Sequence, residues 1–382
     1  MFNSYRKVLL YLKNGILSTS STPKLCVVLQ RNPSTFSPQY STSNLDSQSF
    51  TVDYLINKCG LSQQTALSAT KRVQFDNSKK PDSVIALFKS HGFSDAQISL
   101  IIRKLPCLIT FDPDKIIRPK LEFFKSKGAS TSDLIKMMTA EPRLLARSLE
   151  SCLIPFYDSL KRFLISDECI TDTIKRYAHI VCDMSRTSRN VQVLLDNGMP
   201  DLKVGLLLSQ WPRTVNMQTD DFKRAVDDLK ELGFNPSRSP FVVALVAKSN
   251  GKTKWERKIE LFKKWGWSEE VIASAFTRRP WCMLVSEDKL RAIKDYFVTR
   301  LGWDSLVLAR YPILFSVSLE KTIIPRHSVL EVLLSKGLIK DAHSVSLFTV
   351  EEKSFRKRYV DCFEEEAPRL LKLYEEKRNL SK

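Results

Sequence analysis

A few residues of this chain have the types and spacing that could support chemistry. Gly251-Lys252-Thr253 ends like a phosphate-cradling loop. That loop needs a glycine at position 246, where Val246 stands, and no strand pattern precedes it, so no nucleotide cofactor is expected. Cys169, His179 and Cys182 are the densest set of potential metal ligands. His179 and Cys182 could share a helix face, but no fourth ligand follows at suitable spacing, so no metal is expected. His91, His179, His327 and His343 are scattered singly, and Glu364-Glu365-Glu366 and Glu375-Glu376 read as a solvated acidic face. No nucleophile, base and orienting group recur together, so the chain is read as non-catalytic, without catalytic residues or cofactors.

What remains is charge. Of 382 residues, 60 are Lys or Arg and 42 are Asp or Glu, a net +18 that attracts polyanions such as nucleic acid. The eight cysteines (Cys26, Cys59, Cys107, Cys152, Cys169, Cys182, Cys282 and Cys362) include no C-x-x-C pair and read as reduced thiols. No apolar run is long enough to cross a membrane. No acid occurs before Asp46, whereas Arg6, Lys7, Lys13, Lys24 and Arg31 do. Tyr5, Val8, Leu9, Leu12 and Ile16 fall at helical spacing among them, and hydroxyl residues are dense. Residues 1–40 therefore read as an organelle transit peptide, mitochondrial in preference to chloroplast, with Pro38-Gln39-Tyr40 before Ser41-Thr42 resembling a cleavage site. That segment holds five of the basic residues and no acid, so +13 remains without it.

The elements that would position these charges are repeats. Gly60, Gly92, Gly128, Gly198, Gly233, Gly266, Gly302 and Gly337 recur with a period of roughly 35 positions, one glycine being missing between Gly128 and Gly198. Each precedes an apolar residue: Leu61, Phe93, Ala129, Met199, Phe234, Trp267, Trp303 or Leu338. In six cases a capping residue comes next, namely Ser62, Ser94, Ser130, Asn235, Ser268 and Asp304. Gly in a left-handed conformation ends one helix, the apolar residue staples it, and Ser, Asn or Asp accepts an N–H from the next. Prolines form a second lattice. Pro106, Pro142, Pro212 and Pro280 all stand at one constant offset beyond a lattice glycine, and Pro312 stands somewhat closer behind Gly302. Pro119, Pro155 and Pro325 follow Pro106, Pro142 and Pro312, again at a constant offset. One unit is then a helix over about 94–105 with Ile98, Ile101, Ile102 and Leu105 on one face, a stop at Pro106, a turn opened by Asp112-Pro113, and a second helix from Pro119 carrying Leu121 and Phe124. Two units are degenerate, with Ala178 and Ala247 in the proline slot. The fold class is all-α, a stack of about 35-residue helical repeats forming a curved solenoid over residues 41–345, with 346–382 as a polar capping helix.

Gly–apolar–Ser, a helix, Pro–x–Leu, a turn, Pro and a helix, repeated in tandem behind a transit peptide, resembles the mitochondrial transcription termination factor (mTERF) family. Arg72-Val73-Gln74-Phe75-Asp76 through Lys80-Pro81-Asp82 and Phe355-Arg356-Lys357-Arg358-Tyr359-Val360 resemble its plant members, and the match covers roughly residues 50–376. The resemblance implies a left-handed solenoid with a basic concave groove that binds double-stranded DNA or organelle RNA in transcription termination, initiation or splicing.

Basic residues recur at the proline slot: Arg103 and Lys104, Arg143, Lys175 and Arg176, Arg213, Lys248 after Ala247, Arg278 and Arg279, and Arg310. Stacking would line them along one edge, where they could track a phosphate backbone; their other role would be to neutralise helix C-termini. Lys120, Arg147, Lys161 and Arg162 are second-rank candidates. The six tryptophans are read mainly as core, with Trp255, Trp265 and Trp281 beside basic residues and able to stack on bases. The expected partner is nucleic acid, with transcription or splicing proteins beside it, and the chain is expected to be a monomer away from membranes. Two rivals are a protein-interaction solenoid and a pentatricopeptide-type RNA reader, whose paired helices lack the mid-unit prolines.

Overall fold

The computed structural model describes residues 43–379; the transit-peptide reading of 1–40 and Cys26 lie outside them. The described residues are helices and turns, without a strand. They form two compact units, 43–222 and 223–379.

The glycine lattice is where the chain turns. All eight lattice glycines have φ between +66° and +86°. This left-handed region is costly for a residue with a Cβ, which accounts for the recurrence of glycine. The bond pattern follows: Gly92 N–H returns to the Lys89 carbonyl and Phe93 N–H reaches back to Phe88, and Gly128 with Ala129 and Gly266 with Trp267 repeat it. Seven of the eight stapling residues are buried; Leu338 is exposed. Ser62, Ser94, Ser130, Ser268 and Asp304 accept a backbone N–H from the helix that follows, and Ser94 with Gln97 closes a reciprocal capping box. Asn235 departs from this expectation. Its side chain accepts from Ser237 N–H in a local turn, and the next helix, Ser239–Ser249, begins without a side-chain cap.

The prolines act as expected where they occur. The residue before each slot proline is driven out of helical geometry by the ring, as at Leu105 (φ −137°, ψ 76°) and Arg279 (φ −149°, ψ 85°), whereas Arg118, Ile154 and Ile324, before the second prolines, stay helical. Pro106, Pro142 and Pro312 then open tight 3₁₀ turns, and Pro119, Pro155 and Pro325 sit at the start of Arg118–Ser126, Ile154–Leu160 and Ile324–Ser335. Asp112 caps the wider turn Pro113–Ile117 that joins them.

The two degenerate units resolve differently. Tyr177, before Ala178, keeps the extended break (φ −148°, ψ 74°) without a proline to force it. Ala247 lies inside the continuous helix Ser239–Ser249, so the break there is lost, and the chain turns instead at Gly251 (φ +92°).

Within each unit the apolar faces close on neighbouring repeats. Ile98, Ile101 and Ile102 are buried with Leu121 and Phe124, as Ile272, Ala275 and Phe276 are with Trp255 and Phe262. Such a face cannot be buried by one repeat alone, so the stack is the unit of stability.

Candidate nucleic-acid interface

The slot cations sit where first helices of successive repeats end. There the last carbonyls have no intrahelical donor, and the aligned peptide dipoles leave partial negative charge. Three cations at the same register, each just before the slot, reach across to that end of the next repeat. Lys104 Nζ donates to the Thr139 and Ala140 carbonyls at 2.7 and 3.0 Å. Arg176 donates to the Ser209 carbonyl at 2.9 Å. Arg278 donates to the Arg310 carbonyl at 3.4 Å. Each cation thus ties one repeat to its successor.

The other slot residues divide by partner, and Lys248 is a correction: it is 6 % exposed and pairs with Asp228 at 3.4 Å instead of facing solvent. Lys175 is held by Asp133 at 3.0 Å and Asp172 at 2.6 Å. Arg143 forms a two-pronged pair with Glu141, both bonds 2.7 Å. Burial alone would push the Glu141 carboxyl up, but the Arg143 bonds and charge hold it below its ordinary value. His179 Nδ1 completes this cluster, 2.8 Å from Glu141 and 3.1 Å from Arg143. Arg213 lies over the Tyr177 ring, 5.7 Å from its centroid. Arg103, Arg279 and Arg310 are exposed, and their side chains make no hydrogen bond or ion pair among the described residues. Each unit therefore carries a cationic edge: Arg103, Lys104, Arg143, Lys175, Arg176 and Arg213 in 43–222, and Arg278, Arg279 and Arg310 in 223–379.

The second-rank candidates are largely committed elsewhere. Lys120 is a correction: it is 5 % exposed, and its ammonium donates to the Leu145 carbonyl at 2.7 Å inside the core. Burial lowers its pKa to about 8. Arg147 donates to the Cys182 carbonyl, Arg162 makes a two-pronged pair with Asp201, and Lys161 pairs with Asp158.

Lys120 belongs to a series the sequence reading missed. Thr51, Lys120, Asn190, Lys258 and Arg326 recur at nearly equal intervals, one in every second repeat, and all are buried. Each binds main chain farther along, in the turn of the repeat that follows. Thr51 exchanges two bonds with Phe75, and Asn190 donates to Val215 and Met217 at 2.9 and 2.8 Å. Lys258 donates to Met283 and Val285, and Arg326 to Leu347 and Val350. These side chains satisfy backbone groups of that turn, which would otherwise be buried without a partner. The signal was a polar residue in every second repeat at a position that is apolar in the ones between.

Trp255, Trp267 and Trp303 are core, as expected of most tryptophans, while Trp281 is exposed next to Arg279. Cys59, Cys182 and Cys282 are buried, with thiols pushed up to about 12 by burial. Among the described residues no three His, Cys, Asp or Glu side chains are placed to hold a metal ion, and no helix is long and apolar enough to cross a membrane.

Tandem helix–turn–helix units, closed by left-handed glycines and edged with cations on helix C-termini, define an all-α helical-repeat protein of the solenoid class. The mTERF family profile matches residues 85–249 and 179–356, and the chain belongs to that family. It is similar to an Arabidopsis thaliana protein, "Transcription termination factor MTERF15, mitochondrial", with 22% identity over 288 residues, 74% of this chain. The chain spans 57% of the length of that relative.

Proposed function

We propose that this chain is a non-catalytic nucleic-acid-binding regulator of organellar gene expression, gripping a phosphate backbone along its cationic edges. The observation that carries the reading is the repeat-spaced row of cations at helix ends. Arg103, Arg279 and Arg310 there have no competing protein partner among the described residues. Guanidinium groups spaced by a repeat match a polymer with regularly spaced charge, and each phosphate they neutralise releases condensed counterions. Lys104, Arg176 and Arg278 retain donors beyond those spent on carbonyls, so they can tie the repeats and face phosphate together. The net +18, the family and the mitochondrial relative support the organellar assignment. Residues 1–40 serve in this reading as the import signal, and Ala367–Asn379, which buries Leu370 and Tyr374, closes the array.

The test is binding of the protein to duplex DNA, single-stranded RNA and structured RNA across a salt series. Affinity should fall steeply with salt, and charge reversal of Arg143, Arg213 and Arg279 together should weaken it and flatten the slope by about 0.7–0.9 per lost phosphate contact. The preferred ligand would separate a role in transcription from one in RNA processing. Weak binding to all three, indifferent to salt and to these changes, overturns the proposal.

A second reading, a protein-interaction scaffold, is favoured by one feature. Ile165 and Leu202 are 92 % and 76 % exposed, and with Leu206 they border a cavity of about 300 Å³ between Asp167–Arg176 and Asp201–Gln210. Aspartate at Ile165 and Leu202 should leave stability within about 0.5 kcal/mol. Loss of organellar function in that variant, with nucleic-acid binding intact, would favour the scaffold.

A further inference from the structure

Helix Lys252–Lys264 begins against the rule for its dipole. Its N-cap is Gly251, which offers no side-chain acceptor, and its first turn holds no acid. Lys252, 3.7 Å from Glu256, and Lys254 stand there instead, whereas the next two α-helices open with Glu269-Glu270 and Glu287-Asp288. The positive end of a thirteen-residue helix with free amides and added lysines is unfavourable unless an anion neutralises it.

A cavity of about 230 Å³ opens at this end, bordered by Asn250, Lys254, Trp255, Arg257, Lys258 and Glu287. Three cations face one carboxylate, and Glu287 is already shared, 3.9 Å from Arg257 and 3.5 Å from Arg291. Lys258 is buried, and two of its three ammonium protons go to the Met283 and Val285 carbonyls, leaving one. Trp255 is 5 % exposed, and its indole Nε1–H is buried with no hydrogen-bond partner. An orphaned donor of this kind costs free energy unless a ligand or water accepts from it. Burial, together with the neighbouring Lys254 charge, holds Lys258 down at about 8, a penalty that a bound anion would relieve.

We propose that this cavity binds a phosphate group, held by Lys254, Arg257 and Lys258 and by the Trp255 indole N–H, beside the positive end of helix Lys252–Lys264. The site does not depend on the cationic edges, since it shares no residue with them. It is also not a nucleotide-binding loop, because it lacks the strand and the glycine that such a loop requires. The phosphate can be a free ion or belong to a nucleic acid, and the two sources are separable.

The full chain is titrated calorimetrically with inorganic phosphate, against chloride at matched ionic strength, and then with an oligonucleotide. The variants are the double change Lys254→Gln with Arg257→Gln, both on exposed side chains, and Trp255→Phe, which keeps the ring in the core but removes its N–H. Saturable phosphate binding that falls at least tenfold in the double variant and several-fold in Trp255→Phe supports a free-phosphate site. No saturable phosphate binding, but a tenfold loss of oligonucleotide affinity in the same variants, supports a nucleic-acid phosphate at this position. Phosphate and oligonucleotide binding both unchanged by all the substitutions overturn the proposal. Phosphate binding without any oligonucleotide affinity leaves this site standing and removes the cationic-edge reading instead.

Discussion

Gly205 offers a test in which local propensity and tertiary packing disagree in sign. It lies in the middle of helix Asp201–Gln210, off the left-handed lattice, with buried Val204, Leu207 and Leu208 around it. On helix propensity alone, Gly205→Ala should stabilise by roughly 1 kcal/mol. In the structure an added Cβ would stand 2.1 Å from the Phe163 carbonyl oxygen and 3.1 Å from its carbonyl carbon. Ordinary contact needs about 3.4 Å, so the helix and the Phe163 segment must part by more than 1 Å, and a carbonyl has no rotamer by which to yield. Overpacking of this kind costs about 1–3 kcal/mol, and this case lies at the upper end, so the net effect should be a loss of about 1–2 kcal/mol after the propensity gain. Urea unfolding of wild type and variant reads this as a lower midpoint at unchanged slope. Gly128→Ala is the control. Nothing lies within 4 Å of its added Cβ, but φ is +86°, so its cost of about 1–2 kcal/mol is conformational. Gly128→Asn should recover part of that cost, because Asn tolerates left-handed geometry, whereas Gly205→Asn should be worse than Gly205→Ala. A neutral or stabilised Gly205→Ala would refute the close approach at Phe163.

Other consequences are as direct. Asn190→Ala strips the donor from the buried Val215 carbonyl and the half-buried Met217 carbonyl, and should cost about 2–3 kcal/mol in chemical denaturation, more than any exposed slot substitution. Lys104→Met and Arg278→Met should lower both stability, by about 1 kcal/mol, and nucleic-acid affinity, while Arg103→Gln and Arg279→Gln should lower affinity alone; denaturation and binding measured on the same preparations separate the two groups. Lys258 carries a pH signature. Its folded pKa is about 8 against 10.5 unfolded, so between those values the unfolded chain binds more protons and wild type gains stability as pH rises. Compared at pH 7.5 and 10.5, Lys258→Met should lose ground to wild type by about 2–3 kcal/mol over that interval; a constant difference would mean that the ammonium is not buried as described.

Much of this fold was written locally. Glycine at a left-handed position, a stapling residue after it and Ser or Asp beyond act through short-range backbone bonds, so their spacing alone located the helix ends. Proline acts on the residue before it, and the breaks at Leu105, Glu141, Trp211, Arg279 and Tyr311 were legible for the same reason. The two slots without proline were not. Tyr177 keeps its break with the Arg213 guanidinium over its ring and Asn216 bonded to its hydroxyl, contacts from a later repeat, whereas nothing interrupts the helix at Ala247. The positive charge and its recurrence at the slots were also plain in the sequence, as was the family. Only tertiary structure sorted those charges, because their partners lie far off in the chain, in a neighbouring repeat: Thr139 and Ala140 for Lys104, Asp133 for Lys175, Arg310 for Arg278. Lys120 reads in sequence as a surface cation and is a core donor, since what it serves is a carbonyl that the next repeat brings to it. A sequence determines what each residue can do within one turn of helix; which residues remain free to meet a ligand depends on what the stack places against them.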